Sequence, residues 1–135
     1  MSEEIQSPFA GKSILLAEDN IDSQDLMRDM LEVMQCHSDI ANDGVEAVEK
    51  WKKKKYDLII MDIQMPNMDG HQATIEIRKL EAGKSHVLIL AITASVLADD
   101  RQKCFEAGMD DYLSKPVTFD IVKKKIHELF LKEGG

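Results

Sequence analysis

Five side chains in this sequence are of types that do chemistry together, and each follows a short strand-like run. Glu18 and Asp19 follow Ser13 to Ala17, Asp62 follows Leu58 to Met61, Thr93 follows Val87 to Ile92, and Lys115 follows Tyr112 to Ser114. A carboxylate in such a place is a candidate nucleophile. Three carboxylates brought together repel one another, and the cluster is tolerable if protons or a hard divalent cation offset the charge; Mg²⁺ prefers a few carboxylates, a backbone oxygen and water. A lysine and a threonine hydroxyl beside them complete a pocket for an anion carrying several oxygens, and a phosphoryl group on Asp62 fits that description.

Singly, each residue has a plainer reading. Glu18-Asp19-Asn20 can be a helix-capping cluster, Thr93 or Ser95 a cap, and Lys115 a surface lysine. What makes them a set is position, because a parallel sheet places the carboxyl ends of all its strands on one edge, where ligands collect.

The elements that must do this positioning are legible in the apolar pattern. Leu58, Ile59, Ile60 and Met61 form a β-favouring block without alternation, as expected of a strand covered on both faces. Pro66, Asn67, Asp69 and Gly70 then supply turn chemistry. Residues 13–17 and 87–92 read as further buried strands, His37 to Ala41 as a weaker one, and 112–114 as a short fifth. Leu26, Met30 and Met34, with Met27 and Leu31 beside them, recur at helical spacing and predict a helix over about residues 22–35. A second helix follows Asn42-Asp43-Gly44, with Val45, Val48 and Trp51 on one face and Lys52 to Lys55 as a solvated end that complements its dipole. A third runs from Gly70 to about Ala82 with Ala73, Ile77 and Leu80 inward, and Gly83 is placed to end it. Residues 97–107 form a poorly patterned fourth, stopped by Gly108. Thr118 caps a last helix carrying Phe119, Val122, Ile126 and Leu129. Five strands alternating with five helices imply a parallel sheet covered on both faces by right-handed crossovers.

Composition bounds the rest. A chain of 135 residues with 44% hydrophobic content is the size of one domain. Its expected organisation is a flexible leader over 1–11, a domain over 12–132 and a tail over 133–135. The formal charge of −8, from 17 basic and 25 acidic residues, excludes a phosphate-backbone binder and suits cations or basic surfaces instead. Cys36 and Cys104 are too few and too far apart for a disulfide framework or a CxxC metal site and are expected to be buried, reduced thiols. The acidic start is not a signal peptide, and the longest apolar run is far short of a membrane span. A cytoplasmic protein, with no nucleic-acid or membrane partner, is the expectation.

The segments that carry these residues resemble a known family, the response-regulator receiver domains of two-component phosphorelay signalling. They are Leu-Leu-Ala-Glu-Asp-Asn at 15–20, Met-Asp-Ile-Gln-Met-Pro-Asn-Met-Asp-Gly at 61–70, Ala-Ile-Thr-Ala at 91–94 and Asp-Tyr-Leu-Ser-Lys-Pro at 111–116. The decapeptide is most similar to receivers attached to hybrid histidine kinases. The resemblance implies an α/β, flavodoxin-like, doubly wound five-stranded sheet of order 2-1-3-4-5 with five helices. It implies Asp62 as the phosphoryl acceptor and Mg²⁺ as the cofactor. Glu18 and Asp19 would form the acidic pair, Asp19 and Asp62 the direct ligands, and the Gln64 backbone carbonyl a further metal contact. Thr93 and Lys115 would hold phosphoryl oxygens, and Tyr112 would be the aromatic partner of Thr93 in a switch. The donor it implies is a phosphohistidine on a histidine kinase or histidine phosphotransfer domain. The output it implies passes through the face of helix 4, strand 5 and helix 5, to a downstream protein or a second copy. Gln64 and Ser95 occupy positions that tune phosphoryl lifetime in the family. Gln35 stands where many members have glycine, and Pro116 is placed to follow a cis bond.

Other classes fit less well. A haloacid-dehalogenase-type phosphatase needs a second aspartate where this chain has Gln64, whose amide does not titrate and cannot act as the general acid. A flavodoxin-like cofactor binder needs a phosphate cradle where Glu18-Asp19-Asn20 is acidic and free of glycine. An interaction module that keeps the receiver shape without phosphorylation is the remaining alternative. On the phosphoacceptor reading the protein catalyses its own phosphorylation and dephosphorylation and turns over no separate substrate. Nothing the size of an output domain follows the closing helix, so the chain reads as a free-standing receiver or as a piece of a hybrid kinase.

Overall fold

The computed structural model describes residues 7–94 and 97–134, with side chains through 131; Ser95 lies outside the described residues. Strands β1 (Ser13–Ala17), β2 (His37–Ala41), β3 (Leu58–Asp62), β4 (Leu88–Thr93) and β5 (Asp111–Ser114) alternate with helices α1 (Ile21–Val33), α2 (Gly44–Lys53), α3 (Gly70–Glu81), α4 (Ala98–Ala107) and α5 (Phe119–Gly134). The strands form one parallel sheet in the order β2-β1-β3-β4-β5. This is the doubly wound α/β fold expected from the sequence.

Alternation along the central strands sends residues to opposite faces. Ile14, Leu16, Leu58, Ile60, Leu90 and Ile92 pack under α1 and α5, whereas Leu15, Ala17, Ile59, Met61, Ile89 and Ala91 pack under α2, α3 and α4. The apolar runs of β3 and β4 carry no alternation because both of their faces are core.

The helix starts are set by side-chain caps. Asn20 Oδ1 accepts from Ser23 N at 2.9 Å, Asp43 Oδ1 from Glu46 N at 2.8 Å and Asp69 Oδ1 from Gln72 N at 2.8 Å. Thr118 Oγ1 accepts from Ile121 N at 3.3 Å. The Lys115–Pro116 peptide bond is cis. At the end of α1, Gln35 adopts the left-handed conformation, φ 64°, which glycine would take without the Cβ penalty.

Three expected details differ. Leu26 and Leu80, expected inward, are 54% and 48% exposed. Each lies one step beyond the buried arc of its helix, which in α1 is Met27, Met30, Leu31 and Met34 and in α3 is Ala73, Thr74, Ile77 and Glu81. Glu81 is tolerated inside because Oε1 accepts from Arg78 Nη1 at 2.8 Å and Oε2 from Val87 N at 2.7 Å. At the front of the chain, part of the expected leader belongs to the packed body. Phe9 is buried among Met34, Ile126 and Leu129, Gly11 N donates to Gln35 O, and Ser7 N donates to Gln35 Oε1. At the other end α5 continues to Gly134, through residues expected in the tail.

Candidate functional site

The ends of β1, β3, β4 and β5 converge on one edge. Parallel register sets Ala17 beside Met61, Asp62 beside Ile92 and Thr93 beside Ser114, so the residues following or ending these strands share that edge. Glu18, Asp19 and Asp62 each bring a carboxylate oxygen within 4.8 Å of the other two. Glu18 and Asp62 are buried and Asp19 is exposed, so the cluster has a dry base and an open mouth. Lys115 reaches in from the end of β5, its Nζ 3.2 Å from Asp62 Oδ2 and 3.4 Å from Glu18 Oε1. Thr93, also buried, accepts the Lys115 backbone N–H at its carbonyl at 2.7 Å, which couples the ends of β4 and β5.

Burial pushes the Glu18 carboxyl above its usual range, and Asp62 pushes it the same way against the Asn20 N–H and Lys115. Burial alone would lower Lys115, but Asp62 and Glu18 outweigh it and hold the ammonium above its ordinary value. One cation thus offsets two buried anions and leaves the cluster net negative. That donor set, carboxylate oxygens alone around one point, fits a hard divalent cation such as Mg²⁺.

The neighbours that hold this arrangement include residues sequence reasoning missed. Gln24, buried in α1, donates its Nε2 to Glu18 O at 2.5 Å and to Asn42 Oδ1 at 2.9 Å, joining α1 to the ends of β1 and β2. Its polarity inside an otherwise apolar arc was the available signal. Asn20 N donates to Glu18 Oε2 at 3.0 Å, and Gln64 N to Asp62 Oδ1 at 3.2 Å. Gly70 N donates to Ile63 O at 2.8 Å, and a Cβ on Gly70 would overlap the Asp62 carbonyl oxygen. Beside the cluster opens a cavity of about 400 Å³, lined among others by Ser23, Leu26, Ile92 and Val117. Leu26, exposed on α1, lines that cavity, and Ile21 at the start of α1 is exposed as well.

Tyr112 stands apart from the carboxylates on β5, half-buried, on the sheet face that carries Ala91 and α4. Cys36 and Cys104 are free thiols; Cys104 is buried as expected, whereas Cys36 is only partly buried, although its burial still pushes the thiol up to about 11. Among the described residues no helix is long and apolar enough to cross a membrane.

Comparison with known proteins places these features in context. The sequence model described as the response regulator receiver domain matches residues 14–127. The response regulator mcs4 of Schizosaccharomyces pombe is 38% identical over 86% of this chain, and that match covers 27% of mcs4. The curated relatives are longer proteins, of which this chain spans no more than about a quarter. The receiver domain of sensor histidine kinase PA1611 from Pseudomonas aeruginosa, solved with a magnesium ion coordinated in its active-site cleft, is 39% identical. It has a TM-score of 0.81 and covers 88% of this chain and 97% of its own. The receiver domain of Saccharomyces cerevisiae Ssk1, solved with the histidine phosphotransfer protein Ypd1, is 34% identical at a TM-score of 0.81, covering 88% of each chain.

Proposed function

This chain belongs to the response regulator receiver domain family, and we propose that it is a phosphoacceptor that takes a phosphoryl group onto Asp62. The observation that carries the reading is the triad of carboxylates with Lys115 bridging Asp62 and Glu18. A buried carboxylate tied to a cation at a sheet edge has a defined direction of attack and little water in competition.

In the proposed reaction an Asp62 oxygen attacks phosphorus in line. The bond from phosphorus to the donor nitrogen breaks, and its electron pair returns to the imidazole of a phosphohistidine, which takes a proton from solvent. The product is an acyl phosphate on Asp62. Lys115 supplies a fixed cation for the phosphoryl oxygens, and the Thr93 hydroxyl supplies a hydrogen bond. Glu18, Asp19, Asp62 and the Gln64 carbonyl would hold Mg²⁺, which when bound offsets negative charge gathered by the transferring group. Return to the resting form is attack of water on the same phosphorus, which breaks its bond to the Asp62 oxygen, restores the carboxylate and releases inorganic phosphate and a proton.

The donor is a histidine kinase or a histidine phosphotransfer domain, a reading supported by the pairing of Ypd1 with Ssk1. The exposed Leu26 of α1, in the cavity beside Asp62, marks where such a domain would sit. The output passes through α4, β5 and α5 to a protein target or a second copy. The signalling unit is the packed body that takes in Phe9 and runs through α5, acting in the cytoplasm, where free thiols such as Cys36 and Cys104 persist.

The test is to incubate the protein with Mg²⁺ and a small-molecule phosphodonor and follow its intact mass, with Asp62→Asn and EDTA controls. One added phosphoryl group, absent from both controls, is expected. No adduct under conditions that trap short-lived acyl phosphates, with no response to beryllofluoride, overturns the reading.

A further inference from the structure

The edge of the sheet opposite Asp62, where β3 and β4 begin, holds a second opening. The end of α2 with the turn into β3 forms one wall, and the end of α3 with the turn into β4 forms the other. The groove between them measures about 570 Å³, with Lys52 to Lys55 along the first wall and Leu80 and His86 on the second. Among the described residues Glu81 is the only carboxylate in its lining, and its oxygens already accept from Arg78 and from Val87 N. The groove is therefore cationic.

Two of the four lysines are committed within the chain. Lys52 Nζ is 3.2 Å from Glu49, and Lys54 Nζ is 3.0 Å from Asp39 and 5.4 Å from the centroid of the Tyr56 ring. Lys53 and Lys55, both exposed, have no ion pair among the described residues, in a chain that carries 25 acidic residues. The dipole of α2 accounts for cations in its last turn but not for Lys55, which lies beyond the extended cap residue Lys54. Apolar groups accompany these cations. Leu80 is exposed outside the buried arc of α3, and Trp51 is half-buried in the same lining.

We propose that this groove is a docking surface for an acidic polypeptide segment, with its carboxylates against Lys53 and Lys55 and one large apolar side chain over Leu80 and Trp51. Charge chooses this occupant among anions. The whole chain carries −8, so an extended polyanion such as nucleic acid or an anionic membrane meets net repulsion, whereas a short segment feels only the cations within a Debye length of about 8 Å. A small inorganic anion would leave the apolar lining uncovered and most of the groove empty. A partner held here sits at the far edge of the sheet from Asp62. The surface therefore retains that partner in either state of the site, and it does not rest on the phosphoacceptor reading.

Trp51 is the only tryptophan in the sequence and so reports on the groove directly. The probe is a short synthetic peptide of repeating Glu-Glu-Leu, titrated into the full chain while Trp51 emission and calorimetric heat are followed. Saturable binding is expected, weakened about tenfold by Lys53→Glu with Lys55→Glu and about threefold by Leu80→Ser. The pair Lys103→Glu with Lys124→Glu changes the net charge equally at exposed positions outside the groove and should leave affinity within about twofold. A peptide of repeating Glu-Glu-Ser should bind wild type about threefold more weakly. No saturable binding of the Glu-Glu-Leu peptide by either readout overturns the proposal, as does equal weakening by the two charge-reversed pairs. Equal affinity of wild type for the two peptides overturns the apolar contact, in a comparison that needs no variant to fold. Vesicles of phosphatidylcholine with phosphatidylserine, and inorganic phosphate, are the remaining arms. A response of Trp51 to either one that Lys53→Glu with Lys55→Glu removes assigns the cations to lipid headgroups or free phosphate and overturns the peptide.

Discussion

Lys115 reaches from the end of β5 past β4 to Asp62 at the end of β3, its Nζ 3.2 Å from Oδ2, and the same ammonium lies 3.4 Å from Glu18. It is therefore shared by two buried carboxylates. Lys115→Ala leaves both anions with no such partner, and the expected cost is about 1–2 kcal/mol, less than for a fully buried pair because the lysine is one-third exposed. Mg²⁺ should restore part of that loss, and EDTA should expose all of it. Denaturant titrations of the variant with and without Mg²⁺ check this; equal losses under both conditions would contradict it.

Glu18 gives the pH dependence. Its carboxyl is held above the value of 4.5 that it has unfolded, chiefly by burial and then by Asp62. A raised folded-state value means that the folded form binds the proton more tightly, so this contribution to stability is complete below 4.5 and is lost as pH rises through the raised value. In EDTA, Glu18→Gln should lack this loss and should be more stable than wild type at neutral pH. With Mg²⁺ present the order should narrow or reverse, because the ionised carboxylate is then useful. The difference between the two proteins across pH, measured by denaturant unfolding, isolates Glu18 from the other titrating groups.

Much of this was open to sequence reasoning because the site residues follow strands whose apolar runs are unbroken. Glu18, Asp62 and Thr93 each end or follow such a run, and parallel topology does the rest. The helices were read less well for a geometric reason. A strand has two faces, so an apolar run leaves no phase to choose, whereas a helix has a continuous arc whose edge a single leucine can overstep. Leu26 and Leu80 both do so. The buried polar residues Gln24 and Glu81 were missed because each is satisfied by a backbone group six residues away beyond the end of its helix, Glu18 O and the N–H of Val87, and polarity alone does not name such a partner. Phe9 was missed because one aromatic in a polar stretch has no period; its burial depends on α5, where it meets the His127 and Phe130 rings.

The glycine after the site's turn is a stricter requirement than a helix start ordinarily makes. A Cβ on Gly70 would overlap the Asp62 carbonyl oxygen and come within 3.0 Å of Ile63 Cα, so backbone must move. Gly70→Ala should cost about 3 kcal/mol or more and displace Asp62. Gly83→Ala is the comparison. Nothing lies within 4 Å of its Cβ position, and only its φ of 77° resists alanine, at about 1 kcal/mol. Thermal unfolding orders the two, and Mg²⁺-induced stabilisation should be weakened in the first alone.

Leu26 separates a role in docking from a role in chemistry. It is 54% exposed and lines the cavity beside Asp62. Replacing it by aspartate should leave stability within about 0.5 kcal/mol, since an exposed position carries little packing. Phosphorylation by a small-molecule donor should likewise be unchanged, because that donor needs only the cluster and Lys115. Transfer from a phosphohistidine protein must desolvate the α1 face, and a buried unpaired carboxylate there should slow it tenfold or more, about 1.4 kcal/mol or above. Equal slowing of both donors would move Leu26 from the docking surface into the reaction itself. Equal rates for both would place the partner on another face of the domain.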